Sequence, residues 1–321
     1  MKRIVAVILA LFFVGAALPG QAAAPYPTRP IQLICPFAPG GNSDWSARIV
    51  GNKMAELLGQ PIVVVNKPGG GSAVGINFVA GSKPDGYTIL TASAGMVMIP
   101  LINPQLPYKM DDLVPIGRLA TWNNAMVVNK DVPVSNLQEF IAYAKKNPGT
   151  LSYSSSGIGN TSHFIGEMIN METKLDLQHI PYTGESPAIT AVLGKHAHAT
   201  FTGLPSIQAH VRTGALKALA VFATQRDPSL LQVPTAAEQG FPDLIASSYH
   251  AFYASAKTSP AILKKLEAAM DKALQDKKVR QEIDNQKLTV AFLNSRETKQ
   301  FLESEFKKWS LIAKKANIKI K

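Results

Sequence analysis

Apolar and polar positions follow two rhythms along this chain. Ile31 to Phe37 is an apolar run of strand length, and Ser43 to Leu58 then sets Ala47, Val50, Met54 and Leu57 on one helical face, with Gly59 as its stop. Pro61 to Val65 reads as a second strand, Lys67 to Gly75 ("KPGGGSAVG") as a loop entering a helix, and Pro84 to Ser93 as a turn running into a strand. The middle repeats this grammar. Ser135 with Gln138 forms the pattern of a capping box, and Asn147-Pro148-Gly149 ends the helix that follows. Leu151 to Ser154 is a strand, the next helix carries Phe164, Met168 and Met171, and Gly214 to Ala223 reads as a buried strand. The tail predicts two amphipathic helices. Ser259 caps the first, with Pro260 at its opening position; Leu302, Phe306, Trp309 and Ala313 form the stripe of the second. Strands alternating with helices predict an α/β protein with parallel sheets covered by helices. No low-complexity linker divides the chain, so any two domains are joined by strands that cross between them.

The start of the chain changes this picture. Lys2 and Arg3 precede an apolar or small-residue run of 15 residues, Ile4 to Leu18, and Gln21-Ala22-Ala23-Ala24 supplies small residues for cleavage. That is the pattern of an export signal over residues 1–24, too short for a membrane-spanning helix of about 18 residues or more. The remaining 297 of 321 residues exceed what one core organises comfortably, which predicts two domains. A single cysteine, Cys35, rules out an internal disulfide and lies in an apolar run that suits a buried, inert thiol. Loss of Lys2 and Arg3 lowers the net charge from +11 to +9. An exported protein whose lysines, such as Lys264-Lys265 and Lys314-Lys315, lie on the polar faces of helical patterns is not expected to bind nucleic acid.

Candidate chemistry narrows by elimination. Neither glycine-rich loop ends in the Lys-Ser/Thr of a phosphate-binding P-loop, and "GIGNTS" (Gly157 to Ser162) has serine where a dinucleotide fingerprint needs its third glycine. There is no GxSxG elbow and no HExxH, and the SxxK match from Ser304 to Lys307 falls on a surface-patterned helix. His196 and His198 share one side of a predicted strand, but no third ligand accompanies them at metal-site spacing, so no metal is expected. A repeated strand–loop–helix remains: "ICPFAPGGNSDWSARIV" (Ile34 to Val50) and "LSYSSSGIGNTSHFIGEM" (Leu151 to Met168). Glycine admits a ligand close to the backbone, the first helical turn leaves N–H groups unpaired, and the helix dipole adds partial positive charge. Such a turn holds an anion without a basic side chain. Ser154, Ser155, Ser156, Asn160, Thr161 and Ser162 add polar side chains. Two such turns, one in each half, point to a shared cleft.

"YPTRPIQLICPFAPGGNSDWSAR", "GQPIVVVNKPGGGSAVG", "KPDGYTIL", "SYSSSGIGNTSH", "IPYTGESPAITAVLGKH", "VRTGALKALAV" and "VPTAAEQGFP" occur in this order, ahead of a tail containing Trp309. Together they resemble the Bug-type, TctC-like solute-binding proteins of tripartite tricarboxylate transporters, from about Tyr26 to Ile318. The resemblance implies a type II periplasmic-binding-protein fold, with residues 25–123 plus 249–321 in one α/β domain, 124–248 in the other, and a ligand cleft between them. It implies a periplasmic, non-enzymatic, monomeric receptor without cofactor, which closes on a small organic carboxylate and delivers it to a large and a small membrane subunit. A variant of this role hands the loaded protein to a sensor-kinase ectodomain. By position the ligand is held by Ala38, Pro39, Gly40, Gly41, Asn42 and Asp44 of the first loop and by Ser154, Ser155, Ser156, Gly157, Asn160, Thr161, Ser162 and His163 of the second. Ser93, Tyr182, Gly184, Thr202 and Tyr249 complete the expected lining. The sequence departs from the family pattern where Gly-Gln-Val-Asp-Leu-Met-Phe-Asp is usual, around residues 194–202: His198 and Thr202 replace the two acids. Tyr249-His250-Ala251 stands where Trp-Tyr-Gly is usual. Loss of an acid at 202 weakens the case for a ligand bearing an amine.

Overall fold

The computed structural model describes residues 26–318, so the export signal over 1–24 lies outside the described residues. The first half contains β1 (Ile31–Cys35), α1 (Asn42–Leu58), β2 (Ile62–Asn66), α2 (Ala73–Ala80), β3 (Thr88–Ala92), α3 (Gly95–Ile102), β4 (Leu113–Asn129), α4 (Leu137–Lys146), β5 (Ser152–Ser155) and α5 (Thr161–Thr173). The second contains β6 (Gln178–Pro181), α6 (Glu185–Leu193), β7 (Ala199–Gly203), α7 (Leu204–Arg212), β8 (Leu216–Val221), β9 (Ser247–Ser255), α8 (Pro260–Gln275), α9 (Lys277–Asn285), β10 (Thr289–Asn294) and α10 (Ser295–Lys315). No helix among the described residues is long and apolar enough to cross a membrane.

Two lobes share one long strand. In the first, strands run in the order β2-β1-β3-β9-β4-β10; in the second, β8-β4-β7-β5-β6. Pairing of β4 with β9 extends to Asn123 opposite Ser247, and pairing with β7 begins at Asn124 opposite Gly203. The βαβ units are parallel, as the alternation predicts, whereas β4 is antiparallel to β7, β8, β9 and β10. Parallel pairing is thus confined to the βαβ units: the chain crosses to the second lobe along β4 and returns along β9, so these two strands run in opposite directions.

Local chemistry explains most boundaries. α1 buries Ala47, Val50 and Met54 and ends at Gly59, whose φ of 71° lets its N–H reach the Ala55 carbonyl at 2.9 Å. The cap of α4 sits one residue later than the expected Ser135: Asn136 accepts from the Glu139 N–H at 2.8 Å, while Glu139 reaches back to the Ser135 N–H at 2.7 Å. Burial of Leu137, Phe140, Ile141 and Ala144 fixes that register, and Gln138 bonds the Gln239 carbonyl instead. The tail holds α9 and β10 between the two expected helices. On α10, Leu302, Trp309 and Ala313 are buried, but Phe306 is 37% exposed. Trp309 packs edge-on against Phe164 of α5, ring centres 5.6 Å apart, which ties the last helix to the second lobe. Such a ring pair adds about 0.5–1.5 kcal/mol beyond burial.

Candidate ligand-binding cleft

Between the lobes lies a small cavity, with about 30 Å³ open to a water-sized sphere. That is room for two or three waters, which need about 10–15 Å³ each. Gly41, Ser43, Ser93, Trp122 and His250 line it from the first lobe and the crossover strands; Ser156, Asn160, Thr161, Ser162, Glu185 and Thr202 face them. Phe37 and Phe201 add apolar surface. Among the described residues that line the cavity, none is Lys or Arg.

Both glycine-rich turns open onto this cavity, and both of their helices begin without a side-chain cap of their own. The N-cap of α1 is Gly41, which has no side chain to offer, and Asn160 at the start of α5 makes no bond to its own helix. Asn160 Nδ2 donates instead across the cleft to the Gly71 carbonyl at 2.6 Å. Two more bonds span the lobes: Ala38 N–H to the Thr183 carbonyl at 3.0 Å, and Asn42 N–H to Glu185 Oε2 at 3.1 Å. Gly71 approaches Ile158 so closely that a Cβ on it would lie 1.8 Å from the Ile158 oxygen. The "PGGG" turn, which the sequence reading left as an ordinary loop, is thus part of the cleft closure.

Charge in the cavity is set by Glu185 and His250. Ser46 Oγ donates its one proton to the Asn42 carbonyl at 2.6 Å, so it accepts from His250 Nδ1 at 2.7 Å. Nε2 is then bare and accepts from Ser43 Oγ at 2.6 Å. Burial holds the imidazole down to about 3, and it is neutral. Ser43, its proton spent, turns only lone pairs to the cavity. Glu185 is pushed up by burial, against the opposing pull of the Asn42 N–H, the Ser206 hydroxyl, the Gly203 N–H and the Thr202 hydroxyl. Trp122 Nε1 and Asn42 Nδ2, both buried, have no partner among the described residues. Both lie beside Gly203, where a Cβ would sit 2.4 Å and 2.6 Å from them.

The expected lining residues divide into several groups. Gly41, Ser93, Ser156, Asn160, Thr161, Ser162 and Thr202 meet at the cavity, and Asn42 aims its amide N–H at Glu185 on the cavity wall. Ala38, Gly40 and Gly184 sit where the first loop abuts α6; a Cβ on Gly40 would touch Ser186 Oγ at 3.3 Å, and one on Gly184 the Ala38 nitrogen at 3.2 Å. Pro39 is exposed. Asp44 braces the loop: it accepts from Gly40 N–H at 3.1 Å, Arg48 at 2.8 Å and Asn66 at 2.9 Å. Burial pulls its carboxyl up, but these donors outweigh that and hold it below the usual range. Ser154 donates to the Ala188 carbonyl, and Ser155 pairs with His179 while accepting from the Gly157 N–H. His163 turns away and stacks on the His179 ring at 4.2 Å. Gly157 packs against Gly71, and Tyr182 bonds through its N–H to the Ser155 carbonyl.

The expectation for Tyr249 is corrected. Its side chain is 1% exposed and packs edge-on against Phe301, 4.8 Å away, on the far face of β9. Side chains alternate along a strand, so Ser248 and His250 face the cavity and Tyr249 cannot. The same alternation puts Trp122 and Asn124 of β4 on the cavity face, which sequence reading missed. Glu185 was missed as well, although it directly follows Gly184 in "PYTGES". His196 and His198 lie in the turn before β7, with His198 Nδ1 accepting the Ser152 N–H at 3.1 Å. Cys35 is buried and its thiol is pushed up to about 12, which leaves it unreactive.

Two α/β lobes crossed by antiparallel strands, with a polar cavity where two helices begin, define the class of two-lobed solute-binding receptors. The family model described as "Tripartite tricarboxylate transporter family receptor" (TctC) matches residues 46–318. BugT of Bordetella pertussis is 33% identical over 325 aligned residues, covering 100% of this chain and 99% of BugT. The chain belongs to the TctC family, whose members are periplasmic solute-binding receptors and not enzymes. It is also similar to MatC of Rhodopseudomonas palustris, solved with bound malate, at 28% identity and TM-score 0.85 over 89% of this chain and 99% of MatC. A second R. palustris protein, solved with adipate, is 27% identical with TM-score 0.88 over 92% of this chain and 99% of that one.

Proposed function

We propose that this protein captures a small organic carboxylate in the interlobe cleft and delivers it to the large and small membrane subunits of a tripartite tricarboxylate-type transporter. Residues 25–123 plus 249–321 form one domain of this receptor and 124–248 the other, after removal of the signal over residues 1–24. The observation that carries the reading is the uncapped start of α5 opening on a cavity lined by Trp122, whose buried Nε1 has no acceptor among the described residues. A carboxylate supplies an acceptor to it, and to the first-turn amides from Thr161 to His163. The hydroxyls of Ser93, Ser156, Thr161 and Ser162 lie within the same wall. Hydrogen bonds to a charged group are worth about 1.5–3 kcal/mol each. Four of them, less the cost of closure, reach the roughly −8 kcal/mol of a micromolar dissociation constant. Malate and adipate, the ligands in the two similar structures, support a small acid as the ligand here.

The test is thermal melting of refolded mature protein against mono-, di- and tricarboxylates and aromatic acids. A ligand at 100 times its dissociation constant adds about 2.7 kcal/mol of stability. Ser156→Asp, which places a like charge in the wall, is expected to abolish the shift while leaving the ligand-free melting cooperative. A panel without any stabilising acid overturns the reading.

A further inference from the structure

We propose that Glu185 is the charge-selecting residue of this cleft: its carboxylate occupies the anion position at the start of α1, so the site favours a ligand with one carboxylate over a dianion. The inference rests on the proposed capture of carboxylates and refines which ones are taken. Glu185 opens α6 in the second lobe and reaches over the cleft to the first. Its Oε2 accepts from Asn42 N–H and from Ser206 Oγ, each at 3.1 Å, and its Oε1 faces Thr202 Oγ1 at 3.4 Å. The Gly203 N–H points at it as well. Two of these groups are amides at helix starts, which can only donate, and the two hydroxyls can turn to donate as well. A carboxylate anion satisfies all four at once.

This internal anion changes what the two glycine turns can do. At α1, the Asn42 amide is taken by Glu185 and the Gly40 amide by Asp44. The start of α5 remains open. One ligand carboxylate therefore has a place, with Trp122 Nε1 as a further donor. A second carboxylate would enter a space walled by Glu185, neutral His250 and the lone pairs of Ser43, with no basic side chain among the described lining residues to compensate. Like charges brought together out of water repel strongly. An ammonium or a neutral donor at that end instead meets acceptors. The acid missing at Thr202 is thus supplied from position 185, in contact with the Thr202 hydroxyl.

Calorimetric titration of the full mature protein and of Glu185→Gln with chain-matched ligands tests this. The probes are adipate, hexanoate and ε-aminocaproate for six carbons, and succinate, butyrate and γ-aminobutyrate for four. In the native protein the single-carboxylate members of each series bind at least about tenfold more tightly than the dicarboxylate, and Glu185→Gln narrows or reverses that ratio by about tenfold or more. Glu185→Asp, which keeps the charge, retains the native order and guards against loss of fold in the glutamine variant. A native preference for the dicarboxylates, or a preference unchanged in Glu185→Gln, overturns the role of Glu185 while leaving carboxylate capture standing. Absence of binding by every probe to all three proteins overturns the preference, and if the tricarboxylates and aromatic acids of the melting panel are silent too, carboxylate capture falls with it.

Discussion

Substituting Gly71 by alanine isolates the closure of the cleft from the stability of the lobes. The added Cβ would stand 1.8 Å from the Ile158 carbonyl oxygen, and contacts below 3.0 Å do not persist, so one loop must withdraw. Withdrawal also breaks the 2.6 Å bond from Asn160 Nδ2 to the Gly71 carbonyl. A lost hydrogen bond with a half-buried amide left unpaired weakens the closed form by about 2–3 kcal/mol. Because the ligand is held by the closed form, apparent affinity falls by roughly 30- to 150-fold. Gly71 also has φ of 68°, where alanine costs about 1–2 kcal/mol, but that strain acts on open and closed forms alike. Gly149 provides the control: φ is 70° and a Cβ there meets nothing within 4 Å. Gly149→Ala is expected to lose a similar amount of stability with no change in affinity. Calorimetry with the tightest-binding acid of the melting panel reads affinity, and small-angle scattering with and without that acid reads compaction. If Gly71→Ala binds and compacts like the native protein, the contact between the two loops does not belong to the binding-competent state.

Three further outcomes follow from the geometry. Burial holds His163, His179 and His250 down to about 4, 3 and 3, whereas an unfolded histidine titrates near 6.5. Between those values the unfolded chain binds protons that the folded chain refuses. Stability is therefore full above about pH 6.5 and falls as pH drops towards 4. His250→Gln is expected to make that fall shallower in chemical denaturation across pH 4–7; equal slopes would mean that His250 already carries a proton in the folded protein. Gly203→Ala sets a Cβ 2.4 Å from Trp122 Nε1 and 2.6 Å from Asn42 Nδ2. It should cost about 1–3 kcal/mol in urea unfolding and abolish the ligand-induced melting shift, and survival of both would misplace the cavity. Asp44→Asn removes charge-assisted bonds to the Gly40 N–H and Arg48, with an expected loss of about 1–2 kcal/mol, discounted for the half-exposed arginine. Ligand binding in that variant should stay within a few-fold of native, since Asp44 braces the loop from behind; a complete loss would place it in the site after all.

Much of this organisation is legible in the order of residues. The apolar periodicity of α1, the glycine at its end and the Ser259-Pro260 start of α8 are local signals, because each element's hydrogen bonds and buried stripe lie within a dozen or so neighbours. The two glycine turns were equally visible, as glycine-rich loops between a short strand and a helix start. The error at Ser135 was one residue wide, and arose because Asn136 and Glu139 cap as well as the serine and glutamine beside them.

What the chain order could not reveal were relations across it. Which face of β4 and β9 meets the cavity depends on how two strands more than a hundred residues apart pair, and that register sends His250 inward and Tyr249 into the core. Glu185 looks like an ordinary helix-opening acid until α6 is laid against the start of α1, 143 positions earlier. The sequence by itself determined the α/β elements, the family and the two glycine-rich helix starts, since these rest on local propensity and on residues read in order. The tertiary structure alone decided which helix start lies uncapped beside the cavity and which is met by the Glu185 carboxyl, because such contacts act through space between residues far apart in the chain.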